Sequence, residues 1–370
     1  MSDSQIIRVK EERNAICRLV VSSHFQRESL TELSLRLGNV QDWDALIVGL
    51  ERHGLATITL SKVQKERIRV SNEALRTLQG LEIRDRYRWS LFRLALLDIN
   101  RALRETGVEF ACLKGSAIAN MVYPKPYFRP MDDIDILIAE SDSDKAQRAL
   151  SKIGFTGASP YVGHLRRHHH LPPMLRGAGA AEVMVELHTQ GLSRDHSMRI
   201  ALDQLTEPLH QFDLEGVEFK TLGHIDHLRL LSRHTFSRRT EIRLLGVMDI
   251  LQYSYQYCDE IDWQRIKKDH SFIINTLRCL YPLTAVPTKL RRVAPETTYV
   301  PKGIGEGMMP LTEIRDRKLS IWSKLKHLLL PSQWWVHVFY NVPPEKSILL
   351  VRLVYHPIRL ASWLKMRIST

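Results

Sequence analysis

The chain has 370 residues, of which 44% are hydrophobic and 25% charged, with a formal net charge of +12. That composition excludes a fibrous, disordered or disulfide-stapled protein and leaves room for about two or three packed modules. The positive balance suits polyanionic partners, whether nucleotides, nucleic acid or an anionic membrane surface.

Residues 1–106 read as helical. In "QDWDALIVGLERHG" Asp42 is a candidate cap, Leu46, Ile47 and Leu50 follow helical spacing, and Gly54 suits a left-handed stop. "RNAICRLVVSSHF" and "RYRWSLFRLALLDINRALRETG" continue the pattern, and their interleaved basic residues read as the solvated side of packed helices. The texture changes at Gly107. "VEFACL" predicts a strand, "KGSAIANMVY" a turn opening a helix, "DIDILIAE" a strand, and "DSDKAQRALSKIG" a helix closed by Gly154. "EVMVELHTQ" and "VEFKTL" predict two more strands, the latter after a Glu215-Gly216 turn. Residues 107–222 are therefore expected to form a mixed α/β module within an α+β chain. Residues 223–290 return to helix, through "IDHLRLLSRHTFSRRTEIRLLGVMDILQYSYQY" and "DWQRIKKDHSFIINTLRCLY".

From 291 to 370 a Pro/Gly-rich loop, "APETTYVPKGIGEGMMP", leads into a basic segment containing Trp322, Trp334, Trp335 and Trp363. A terminal helical hairpin packed on the body is the expected arrangement, with contact between this basic tail and an anionic surface as the alternative. Arg352, His356, Pro357 and Arg359 interrupt "SILLVRLVYHPIRLASWL", so no transmembrane helix is predicted. The N-terminus is polar and shows no secretory leader. Cys17, Cys112, Cys258 and Cys279 are far apart without C-x-x-C spacing, which argues against a disulfide framework or a Cys-type zinc site and suits a reducing, cytoplasmic setting.

The chemistry concentrates in "LKGSAIANMVYPKPYFRPMDDIDILIAE". In a strand, Ile134, Ile136 and Ile138 face a core while Asp133 and Asp135 share the other face. Two carboxylates there are costly unless paired or bound to a cation, and a hard divalent ion such as Mg²⁺ takes such ligands together with phosphates. Gly115 and Ser116 stand at the preceding strand-to-helix turn, where a phosphate can approach bare backbone. In "EVMVELH", Glu186 lies on the polar face and joins the two aspartates if the strands are neighbours; Glu182 is the competitor on that face. Three acids with two metals are the usual equipment of phosphoryl or nucleotidyl transfer.

These motifs resemble the Gly-Ser…Asp-x-Asp signature of the DNA polymerase β-type nucleotidyltransferase superfamily, and more narrowly an uncharacterised bacterial nucleotidyltransferase family. The positions carrying the resemblance are Lys114, Gly115, Tyr123, Pro124, Arg129, Asp133, Asp135, Glu186 and His188, with "HHLPPM" and the Asp249 stretch "LLGVMDILQY" in support. The resemblance implies a small mixed β-sheet flanked by helical regions. It implies metal-dependent transfer of an NMP group from an NTP, ATP by default. Asp133, Asp135 and Glu186 would be catalytic metal ligands for Mg²⁺ or Mn²⁺, and Gly115 and Ser116 would contact the triphosphate. Lys114 and Arg129 are candidate phosphate contacts. The interval of sixteen residues between Ser116 and Asp133 exceeds that of compact superfamily members. This extra loop, with Tyr123, Tyr127, Phe128 and Arg129, is either a cover for the site or a structural turn.

His164, His168, His169 and His170 do not make a convincing zinc site, because consecutive side chains diverge and Pro172 and Pro173 argue for a loop. His188 is expected to line the cleft beside Glu186, orienting it or touching substrate. No nucleophile triad is evident. The acceptor is left open among a protein hydroxyl, a small molecule, a glycan precursor and an RNA end. Two alternatives to the enzyme stand: an inactive nucleotide-binding or scaffold protein, and a basic nucleic-acid- or membrane-associated protein.

Overall fold

The computed structural model describes residues 3–158, 168–192, 199–237, 242–298, 300–305, 322 and 328–368. Five helices open the chain: α1 (Asp3–Ser22), α2 (Arg27–Gly38), α3 (Trp43–His53), α4 (Ala56–Lys65) and α5 (Asn72–Glu105). Their ends follow local chemistry. Asp42 accepts from the Ala45 N–H and Gly54 closes α3 at φ 72°. Ser71 caps α5 by accepting from Ala74.

Seven strands form one mixed sheet. They are β1 (Phe110–Cys112), β2 (Ile134–Ile138), β3 (Thr156–Gly157), β4 (Met174–Arg176), β5 (Val183–His188), β6 (His210–Leu214) and β7 (Val217–Thr221), in the order β3-β4-β5-β2-β1-β7-β6. At the centre, β2 runs antiparallel to β1 and parallel to β5, with Asp135 opposite Glu186. That register puts both acids on one face. Sequence patterning leaves β3, β4 and β6 out: the first two are only two and three residues long, and β6 is largely solvent-facing, with only Leu214 buried.

The alternation of β2 and β5 divides the sheet's surfaces. Ile134, Ile136, Ile138, Val185 and Leu187 pack with Phe92, Leu96, Ile99 and Leu103 of α5 and with Ala146 and Leu150 of α7 (Ser143–Lys152). The other face holds a smaller apolar patch, with Ala111, Leu113, Leu137, Leu222 and Leu230, and the polar site beside it. Strand β2 begins at Ile134, so Asp133 stands just before the strand rather than within it.

Between β1 and β2 lies the short helix α6 (Gly115–Met121). After β7 come α8 (His224–Ser237), α9 (Leu244–Gln256), α10 (Trp263–Asp269), α11 (Phe272–Leu280), α12 (Gln333–Phe339) and α13 (His356–Ile368). The long helical run expected from 225 to 257 is thus two helices, with residues 238–241 outside the described part. Helical segments from both sides of the sheet share one core, which includes Ile16, Leu50, Leu245, Met248, Leu277 and Trp334. In the tail, Trp334 and Trp335 are buried, and Trp334 Nε1 donates to the Cys279 carbonyl at 2.7 Å, as a packed hairpin requires. Trp322 is exposed, and the side chain of Trp363 lies outside the described residues. All four cysteines are buried free thiols.

Candidate active site

The turn from β1 into α6 is built under tension. Lys114 adopts φ 46° and ψ −122°, a conformation favourable only to glycine. The distortion carries its Nζ to 2.7 Å from Asp135 Oδ1. Gly115 has no room for a side chain, since a Cβ would come within 3.0 Å of Arg129 Nη1 and Met131 Sδ. Ser116 is fully buried. Its hydroxyl lies 2.8 Å from the Leu113 carbonyl and 3.0 Å from that of Asp135, and accepts from the Asp135 N–H at 3.2 Å. The hydroxyl thus ties the turn to β2, while Gly115 borders the cleft.

Asp135 is almost entirely buried, and one of its oxygens meets both Lys114 and His188. Lys114 Nζ and His188 Nε2 each stand 2.7 Å from Oδ1. Burial opposes its charge, yet Lys114 and His188 prevail and hold the carboxyl far below the usual range. His188 also reaches Glu186 Oε2 at 3.4 Å. Burial lowers the affinity of His188 for its proton, and the two carboxylates more than restore it, so its pKa is raised. The same contact lowers that of Glu186. His188 thus touches both carboxylates, is fully buried, and is not among the residues lining the cleft.

Asp133 is the opposite case. Burial and the neighbouring Asp135 push its carboxyl up to about 6, with Glu186 adding to the repulsion and Lys114 opposing it. Asp133 is the under-compensated negative charge of the group.

Asp133 and Asp135 line a cleft of about 120 Å³ between the sheet and the helices α8 and α9. Lys114, Gly115 and Arg129 line it on the sheet side, and Thr235, Arg243 and Asp249 on the helical side. Arg129 is buried against Asp249, Nε at 3.0 Å from Oδ1 and Nη2 at 2.7 Å from Oδ2. Burial disfavours the guanidinium charge, and Asp249 more than restores it. Tyr123 OH donates to the same carboxylate at 2.7 Å. Nη1 of Arg129 takes no part in these bonds and borders Gly115. The extra loop is thus neither a cover alone nor a plain turn, since it locks one arginine to α9 at the cleft wall.

Sequence reasoning missed the roles of Asp249, Arg243 and Thr235. A signal existed for Asp249: a lone carboxylate among Val247, Met248, Ile250 and Leu251, all buried, needs a cationic partner. Nothing local marks Arg243, which meets Asp132 at 3.2 Å across the fold.

The histidine loop approaches from behind. The His169 and His170 rings lie 5.3 and 5.4 Å from that of His188. Burial and the neighbouring His188 and His170 push His169 down to about 3, so it is neutral. His164 lies outside the described residues. Among the described residues, the donor atoms of Asp135, Glu186 and His188 all fall within 4.8 Å of one another. With the unmatched charge of Asp133 in front, this donor set suits a hard divalent cation.

A family model described as an uncharacterised nucleotidyltransferase matches residues 39–282, well over half the chain. Comparison with curated proteins and with solved structures gives no match. The chain belongs to that nucleotidyltransferase family.

Proposed function

We propose that this member of the family transfers an NMP group from an NTP, ATP by default, to an acceptor hydroxyl in a metal-dependent reaction at the cleft of Asp133 and Asp135. One observation carries the reading. The carboxylates Asp133 and Asp135 meet two cations, Lys114 and Arg129, beside Gly115 in one cleft, and a third acid, Glu186, stands opposite Asp135 on the neighbouring strand.

Asp133, Asp135 and Glu186 would hold Mg²⁺ or Mn²⁺, which supplies neutralisation of phosphate charge and activation of the acceptor oxygen. Gly115 lets the triphosphate approach the backbone, while Lys114 and the unbonded Nη1 of Arg129 offer charge to its oxygens. The acceptor oxygen bonds to the α-phosphorus, the bond from that phosphorus to the bridging oxygen breaks, and pyrophosphate leaves. We assign the acceptor's proton to Glu186, with His188 fixing that carboxylate.

The test is incubation with an NTP labelled at the α-phosphate, Mg²⁺ or Mn²⁺, and candidate acceptors drawn from proteins, small molecules, glycan precursors and RNA. Label should move to one class in the parent and not in Asp133→Asn. A second reading has its own support. Lys114 and His188 neutralise Asp135 without any metal, which suits a nucleotide-binding protein without transfer activity. Nucleotide bound equally well in EDTA, with no label transferred, would favour it.

A further inference from the structure

The end of the chain leaves a broad apolar face uncovered. A π-helical turn, Val351–Tyr355, runs into α13. Ile348 and Val351 pack on the body, and polar anchors hold the rest of that side. His356 accepts from Tyr340 OH at 2.7 Å through Nδ1 and donates to the Leu328 carbonyl at 2.7 Å through Nε2. Arg352 donates to the Pro331 carbonyl, and the Arg359 guanidinium lies 4.7 Å from the centre of the Phe339 ring. The side turned outward is apolar: Leu349, Leu350, Leu353, Val354, Tyr355 and Ile358 are all exposed, Leu353 by 70% and Ile358 by 60%. Leu329 and Leu330, beside the carbonyl that holds His356, are exposed as well. Adjoining large apolar side chains left exposed in this way mark an interaction surface.

Charge indicates what covers it. From Lys346 to Thr370 the chain has no Asp or Glu, and it carries Lys346, Arg352, Arg359, Lys365 and Arg367. A second copy packed on this face would set those cations against their own counterparts, since a two-fold interface apposes identical patches. No described helix is long and apolar enough to cross a bilayer. An exposed apolar stripe in a segment whose only charged residues are cations has the character of a segment lying in the interface of an anionic leaflet. We propose that residues 349–358 and α13 dock this protein peripherally on an anionic lipid surface. The inference does not depend on the nucleotide reading.

Flotation of the full chain with vesicles tests it, comparing phosphatidylcholine alone with phosphatidylcholine containing phosphatidylglycerol. The expected result is flotation with the anionic vesicles, weakened by salt. Leu353→Glu/Ile358→Glu should lower the bound fraction by at least about tenfold, from the lost burial of two large side chains. Its melting temperature should stay unchanged, because both side chains already face outward. No flotation with anionic vesicles, equal flotation with the neutral ones, or undiminished binding of the variant would each overturn the proposal. So would a dimer in solution that the double variant dissolves, which would assign the face to a second copy.

Discussion

Asp133 and Asp135 are two residues apart and answer to different surroundings. Asp135 is locked between Lys114 and His188. Removing its charge leaves both partners in a buried site, and Asp135→Asn should cost about 3–5 kcal/mol of stability. Asp133 is held ionised against burial and against Asp135. Its raised pKa means that stability increases as pH falls through about 6 toward the unfolded value. Asp133→Asn should therefore stabilise the apo chain at pH 7, by about 1–2 kcal/mol, while abolishing transfer. Denaturant melts of the two variants check the contrast, and equal losses would show that the asymmetry is not real. At Arg129 the fork matters as much as the charge. Arg129→Lys cannot reproduce the two-pronged contact with Asp249 and should weaken NTP binding about tenfold or more, measured by titration. Affinity within twofold of the parent would remove Arg129 from the phosphate site. Asp135 was legible in the sequence because the period of a strand is fixed, and Asp133 stood out as a second acid just ahead of that strand. The Lys114 ion pair was not, because it depends on a positive φ that no local pattern announces.

At the scale of elements, the cleft depends on how α8 and α9 close against the sheet. Gly246 in α9 faces α8, and a Cβ there would come 2.7 Å from Thr235 Oγ1 and 2.9 Å from its Cγ2. Gly246→Ala should push the helices apart at the wall that carries Thr235, Arg243 and Asp249. The expected cost is about 1–3 kcal/mol, with a fall in nucleotide affinity alongside. A thermal melt with and without NTP separates these effects, and an unchanged melt would mean that the wall adjusts freely. The central strands β1, β2, β5 and β7 were readable because apolar alternation and turn glycines bound them. The short edge strands β3 and β4 were not, since pairing with β5 defines them more than their own residues do. The division into α8 and α9 was not legible, because the helical spacing of the sequence continues from one into the other.

For the whole molecule, a buried histidine ties stability to pH. His227 is fully buried, and burial pushes it down to about 3, with His224 and His210 adding repulsion. It is neutral when folded and becomes protonated on unfolding below about 6.5. The unfolded chain then binds more protons, so its contribution is intact above that pH and is lost as pH falls toward 3. It should remove about 1.4 kcal/mol per pH unit in that window. Urea melts at pH 7 and pH 5 should show a smaller loss in His227→Gln than in the parent, and an equal loss would mean that His227 is protonated in the fold. The sequence could not show this, because His227 reads as an ordinary helix position until tertiary packing buries it.

The account stands or falls on nucleotide binding in the cleft. The most direct measurement is calorimetric titration of the chain with each NTP, in Mg²⁺, in Mn²⁺ and in EDTA, for the parent and for Asp133→Asn. Binding that needs the metal and disappears in Asp133→Asn is the predicted result. No binding of any NTP with either metal, or binding that Asp133→Asn leaves intact, would contradict it.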